Sequence, residues 1–222
     1  MSLTHLGIIA DGNRRWAKAQ GLPSIEGHRK GMESIKKLVE AAAQTEIKYI
    51  TFYVFSTENW GRSAEEVSYL MKLIESQIMK YAKSLAENNA KMVILGSKDK
   101  VPPKLASLLE KAEAITADST GITVGLCFNY GGEREIADAA AIAASEGEIT
   151  PEAIRKHLYH PEIPDLDMVV RTSGEERISG FMLWRASYAE FMFMKKYFPE
   201  MSGKDIKTIL KEYETRSRRF GK

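Results

Sequence analysis

The chain has 222 residues, 44% of them apolar and 28% charged, with a net charge of +2. That length and balance suit one folded domain and exclude a disordered or fibrous chain, and the small net charge gives no bulk field for nucleic acid. A single cysteine, Cys127, excludes an internal disulfide or a thiolate metal site, and no apolar run approaches the roughly 20 residues of a membrane span. With no signal peptide in view, a cytoplasmic protein is expected.

Apolar runs alternate with helical patterns along the chain. A strand is predicted at Leu6–Ala10, followed by a helix over Gly27–Gln44 and a strand at Tyr49–Phe55. A long helix, Ser63–Asn88, leads to a strand at Met92–Leu95, a helix over Pro103–Ala117 and a strand at Ile122–Phe128, where Cys127 reads as a small buried hydrophobe. Helices follow at Glu133–Ala144 and Pro151–His157, then strands at Met168–Arg171 and Phe181–Trp184, and a last helix at Gly203–Arg218. Such alternation predicts an α/β fold: a single domain, 1–222, with a mainly parallel six-stranded sheet flanked by helices. On the long helix, Val67, Leu70, Met71, Ile74, Ile78, Tyr81, Ala82 and Leu85 recur at helical spacing, widened by Leu73. That stripe suits either core packing or the wall of an apolar tunnel beside the sheet.

Ligands of open α/β sheets gather outside the carboxyl ends of the strands. Polar and glycine-rich segments follow four of the predicted strands: Asp11-Gly12-Asn13-Arg14-Arg15-Trp16, Ser56-Thr57-Glu58-Asn59-Trp60-Gly61-Arg62, Asn129-Tyr130-Gly131-Gly132, and Arg171-Thr172-Ser173-Gly174-Glu175-Glu176-Arg177. The first has neither a dinucleotide glycine pattern nor a nucleotide P-loop. A carboxylate at a strand end beside a helix start can hold a divalent cation next to an anion, and diphosphate with Mg²⁺ satisfies both halves.

These segments, with Gly27-His28, Ser179, Tyr188-Ala189-Glu190 and Arg218-Arg219-Phe220-Gly221, resemble the cis-prenyltransferases, the family of undecaprenyl diphosphate synthase, over essentially the whole length. The resemblance implies a Mg²⁺-dependent transferase that adds isopentenyl diphosphate to an allylic prenyl diphosphate with a cis double bond. It also implies a homodimer with peripheral membrane contact through the lipid product, while the small net charge predicts no nucleic-acid partner. Asp11 then corresponds to the essential carboxylate at Mg²⁺, Asn59 joins it among the catalytic positions, and Glu190 is a second metal-side carboxylate. Gly12, Asn13, Arg14, Arg15, Trp16, His28 and Arg62 belong with the allylic diphosphate. Arg171, Arg177 and Ser179 belong with isopentenyl diphosphate, while Ser56, Thr57, Glu58 and Trp60 form the loop between the two sites. Arg219 and Gly221 match a tail that reaches the neighbouring subunit.

Three positions depart from the family pattern: Ser24 and Glu133 stand where arginine is usual, and Glu176 stands where histidine is common. The alternatives are a short-chain or atypical cis-prenyl diphosphate synthase, a non-catalytic scaffold subunit, and an unrelated phosphate-binding α/β enzyme. Retention of Asp11, Arg15, Arg62, Arg171 and Arg177 speaks against a scaffold. Val54 on the second strand, with the polar Glu75, Ser76 and Gln77, points to a shorter product.

Overall fold

A computed structural model describes residues 2–216. Six strands form one all-parallel sheet: β1 (His5–Ile9), β2 (Tyr49–Ser56), β3 (Lys91–Leu95), β4 (Thr123–Tyr130), β5 (Met168–Arg171) and β6 (Glu190–Phe193). Their spatial order is β3-β4-β2-β1-β5-β6. The helices are α1 (Asn13–Ala19), α2 (Ser24–Ala42), α3 (Ala64–Glu87), α4 (Pro103–Thr116), α5 (Gly132–Ser145), α6 (Pro151–Lys156) and α7 (Gly203–Glu214).

Period-two alternation builds a core on each face of the sheet. Leu6, Ile8, Ile50, Phe52, Val124, Leu126, Met168 and Val170 face one core, packed with residues of α2, α3, α4 and α7. Ile9, Tyr53, Val93, Leu95, Cys127 and Val169 face the other. Both faces of most strands are therefore buried, which is why they read as continuous apolar runs.

One predicted strand is displaced. Phe181–Trp184 forms turns, and the sixth strand is Glu190–Phe193, paired with β5 at the sheet edge. Phe181 and Met182 are fully buried on the second core, and Phe181 stacks on Tyr53 at 5.2 Å. A Cβ on Gly7 would lie 2.7 Å from the Phe181 ring, so the missing side chain in β1 makes room for it. The apolar signal there marks a plug over the sheet rather than a strand.

Asp11 follows the strand about which the winding reverses. The chain moves from β1 to β2 on one side, while β5 returns to the other. That reversal opens the crevice where α/β sheets bind ligands.

Candidate active site

Gly12 turns the chain out of β1 with φ +95°, and a Cβ there would meet Tyr197 and Ser173 within 3 Å. Only glycine fits that left-handed turn at this proximity. A side chain at Gly27 would come within 2.0 Å of the Asn13 carbonyl, so glycine lets α2 cross the start of α1 closely and brings His28 to the same spot.

Asp11 is the hub. Its carboxylate accepts from Arg15 at 3.0 Å, from Arg171 at 2.9 Å and from its neighbour's Gly12 N–H at 2.6 Å. Thr172 fixes its backbone, accepting from Asp11 N at 3.0 Å and donating to its carbonyl at 2.7 Å. Burial disfavours the charge, yet Arg171 and Arg15 outweigh it and hold the carboxyl below its ordinary value. Arg171 is 6% exposed at its side chain and also donates to Ser179 Oγ at 2.8 Å and to the Arg177 carbonyl at 2.5 Å. Arg15 and Arg177 both donate to Glu175, at 2.9 and 2.6 Å, so five alternating charges link the β1 and β5 loops.

The β2 loop supplies the opposite wall. Ser56 and Asn59 form a reciprocal cap of a 3-10 turn, and Trp60 Nε1 donates to Asn129 Oδ1 at 2.7 Å. Arg62 donates to Glu66 at 2.9 Å, and the same carboxylate lies 3.4 Å from Arg14 and 3.8 Å from His28.

Two polar clefts of about 620 and 770 Å³ and an apolar cavity of about 110 Å³ converge at Ala10, Asn13 and His28. The first cleft takes Asp11, Ser56, Thr57, Glu58, Asn59, Arg62, Arg171 and Ser179; the second takes Asp11, Gly12, Arg14, Arg15, Ser24 and Arg62. The apolar cavity runs along α3 past Val54, Leu70, Leu73, Ile74 and Ile78 to Tyr81. The amphipathic stripe thus serves as cavity wall on one side, while Met71, Ala82 and Leu85 pack the core.

Buried polar atoms without partners collect here. Among the described residues these are Asn13 Oδ1, His28 Nε2, Arg171 Nε and Ser173 Oγ, with Tyr81 Oη at the far end of the cavity. Unpaired buried groups are costly unless a ligand completes them, so their concentration marks a binding site.

Burial, with Arg62 next, lowers the pKa of His28 to about 4, and burial does the same at His5. His28 therefore meets a ligand as neutral imidazole near pH 7. Between about pH 6.5 and 4 such a group binds more protons unfolded than folded, so stability falls as pH drops across that window. Comparing the pH dependence of urea midpoints for the parent and His28→Gln should show a shallower acid slope in the variant. Superimposable slopes would contradict the assignment.

Most anticipated positions assemble, but not all. Trp16 is half-buried on α1 outside the linings of both clefts, Trp60 acts through Asn129, and Arg177 reaches the hub only through Glu175 and its own carbonyl. Glu190 lies apart from Asp11 and the β5 loop within the chain. It opens β6 opposite Met168, at the end of the sheet away from Arg171, because the parallel edge strand starts there. Arg219 and Gly221 lie outside the described residues. Glu66 and Thr172 were missed; Glu66 was legible as the (i, i+4) partner of Arg62, whereas Thr172 had no distinguishing signal.

The profile of the undecaprenyl diphosphate synthase type of prenyltransferase matches residues 9–221. An isoprenyl transferase of Agrobacterium fabrum is 43% identical over 98% of this chain and 91% of its own. One from Thermotoga maritima is 41% identical, over 98% of this chain and 96% of its own. Lavandulyl diphosphate synthase of Lavandula x intermedia, solved in complex with dimethylallyl diphosphate, matches with a TM-score of 0.95 at 31% identity, covering 100% of this chain and 99% of that one. Likeness of this extent, on a site built for anions beside an apolar cavity, means that the chain belongs to the undecaprenyl diphosphate synthase family and is a cis-prenyl diphosphate synthase.

Proposed function

We propose that this enzyme condenses isopentenyl diphosphate with an allylic prenyl diphosphate at the junction of the two clefts, with Mg²⁺, as a homodimer in the cytoplasm. The carrying observation is the convergence of two polar clefts and one apolar cavity on Asn13 and His28, next to Asp11. Two charged heads and one hydrocarbon tail match that geometry. The cleft holding Arg14 and Arg15 suits the allylic head, because the apolar cavity for its tail opens beside it. The cleft holding Arg171 and Ser179 suits isopentenyl diphosphate, with the Asn59 and Trp60 turn ordering the wall between them.

Breaking the allylic C–O bond concentrates negative charge on the leaving diphosphate. Fixed guanidinium donors there lower the barrier without reorganising. No group of three His, Cys, Asp or Glu side chains among the described residues forms a metal cage. One carboxylate fits Mg²⁺ nonetheless, since that ion is commonly held by one or two carboxylates together with substrate phosphates. Asp11 would hold it, and bound Mg²⁺ would neutralise diphosphate charge. Arg171 and Arg15 keep Asp11 ionised, the form that binds a cation.

Incubation with labelled isopentenyl diphosphate, a panel of allylic primers and Mg²⁺ should yield prenyl diphosphates, and chelation should stop the reaction. No labelled product with any primer would refute the reading. Ser24 opens α2 and lines the second cleft where the family usually has arginine. Ser24→Arg adds a charge-assisted contact and should lower the allylic KM about tenfold, leaving the isopentenyl KM in place. Equal allylic KM values would remove Ser24 from the site.

A further inference from the structure

A second charge cluster lies on the β2-loop side of the clefts. Arg15, Arg171 and Arg177 are held by Asp11 and Glu175, whereas Arg14 and Arg62 share a different carboxylate, Glu66. Arg14 comes from the first turn of α1 and Arg62 from the end of the 3-10 turn. Arg62 Nη1 donates to Glu66 Oε1 at 2.9 Å, and Arg14 Nη1 lies 3.4 Å from Oε2. Among the described residues Glu66 is the only ion-pair partner of either arginine.

Glu66 lines neither cleft nor the apolar cavity, so it reaches a ligand only through its neighbours. The start of α3 fixes its place. Ser63 caps that helix by accepting from the Glu66 N–H at 3.3 Å, and the helix dipole favours a carboxylate in the first turn. One turn further on, Leu70 begins the cavity wall, which continues through Leu73, Ile74 and Ile78. The helix that walls the tail cavity therefore also pins two arginines of the head cleft.

Two guanidiniums repel one another, and a single carboxylate gathers both while leaving one surplus positive charge for an anion. Without that carboxylate the cleft would be more positive, but two long side chains would need ordering whenever an anion bound. Ordering two such side chains costs about tenfold in affinity. Salt at about 0.15 M screens the added attraction in an open cleft, so the ordering cost prevails.

We propose that Glu66 is a positioning residue for the allylic diphosphate: it holds Arg14 and Arg62 on one carboxylate beside the cavity mouth without touching substrate. This role rests on the prenyl-transfer reading and adds to it a residue that acts through two others.

The test is a double-mutant cycle read by binding of dimethylallyl thiodiphosphate, supplied alone so that no transfer occurs, at about 0.15 M salt. Glu66→Gln, which keeps the side chain's size, should weaken binding about tenfold. In a background carrying Arg14→Ala and Arg62→Ala, the same substitution should change binding less than about twofold, because the groups it acts through are gone. An equal loss in both backgrounds would mean a general structural role and overturn the proposal. Unchanged or tighter binding in Glu66→Gln would also overturn it, by making the carboxylate a competitor of the ligand. Isopentenyl thiodiphosphate, which belongs to the other cleft, should lose less than about twofold with Glu66→Gln; equal weakening of both ligands would overturn the assignment to the allylic head. A parent that binds dimethylallyl thiodiphosphate yet forms no product from labelled isopentenyl diphosphate would instead refute the prenyl-transfer reading, leaving the cycle to decide on Glu66. A parent that binds neither analogue would overturn both.

Discussion

Asp11→Asn should abolish prenyl transfer, with kcat falling about a thousandfold or more, while the protein still folds. The substitution keeps shape and some hydrogen bonding but deletes the charge that Arg15 and Arg171 both contact. Those arginines stay near their places, because Arg171 retains Ser179 Oγ and the Arg177 carbonyl, and Arg15 retains Glu175. The expected loss therefore lies in holding Mg²⁺ against the diphosphate rather than in collapse of the cradle. The pH dependence of stability offers an independent readout. A carboxyl whose folded pKa is depressed stabilises the fold above its unfolded value, and that contribution disappears as pH falls through the folded value. Asp11→Asn should therefore remove part of the acid limb below about pH 4 and leave the neutral region nearly level. Steady-state kinetics with varied Mg²⁺, alongside thermal unfolding, check both halves. Turnover at the parent rate would sink the metal assignment.

Where each element sits was readable because the strands are short apolar runs whose ends carry polar and glycine-rich segments. Asp11, Asn59, Arg62 and Arg171 sit at or in the loops just beyond strand ends and line one cleft, where the α/β rule places a ligand. The sixth strand was misplaced for a physical reason. Burial makes Phe181 and Met182 apolar whether or not they extend, and the deletion that accommodates Phe181 is at Gly7, more than 170 residues away. Glu190 carried the right residue type in a recognisable segment, but strand register decides which end of the sheet it occupies. Periodicity on α3 could not separate wall from core, because both demand apolar residues at the same spacing. Only the packing of α3 against α2, α4 and β3 divides Ile74 and Tyr81, which line the cavity, from Ala82 and Leu85 in the core. The partnership of Glu135 with Arg185 had no local signal at all, since the residues are 50 positions apart.

Arg185→Met should destabilise the protein by about 3–5 kcal/mol, measured as a fall in the urea midpoint at unchanged slope. Arg185 and Glu135 are 1% and 0% exposed and meet at 2.8 Å. Every remaining polar atom nearby is committed. Arg185 donates to the carbonyls of Ile163, Tyr159 and His160, and Glu135 accepts from the Tyr130 hydroxyl at 2.5 Å and from Tyr159 N at 3.0 Å. Losing the guanidinium leaves a buried carboxylate without its cation and strands the carbonyls of Tyr159 and Ile163, while the His160 carbonyl keeps the Ile163 N–H. Replacing both partners by apolar residues often restores an isolated buried ion pair, but here Arg185→Met with Glu135→Leu should recover only part of the loss, because those carbonyls stay unpaired. Full recovery would mean that the ion pair alone mattered. The consequence reaches the active site through Gly132, which donates to the Gly180 carbonyl, and through Tyr53, whose hydroxyl donates to the Ser179 carbonyl. Both bonds fasten the segment that presents Ser179 to Arg171, so loosening the knot frees the isopentenyl side first. At temperatures where Arg185→Met remains folded, its isopentenyl KM should rise while its allylic KM stays near the parent value. A variant within about 1 kcal/mol of the parent, or one that weakens both substrates equally, would show that the knot is neither the fold's anchor nor the loop's support.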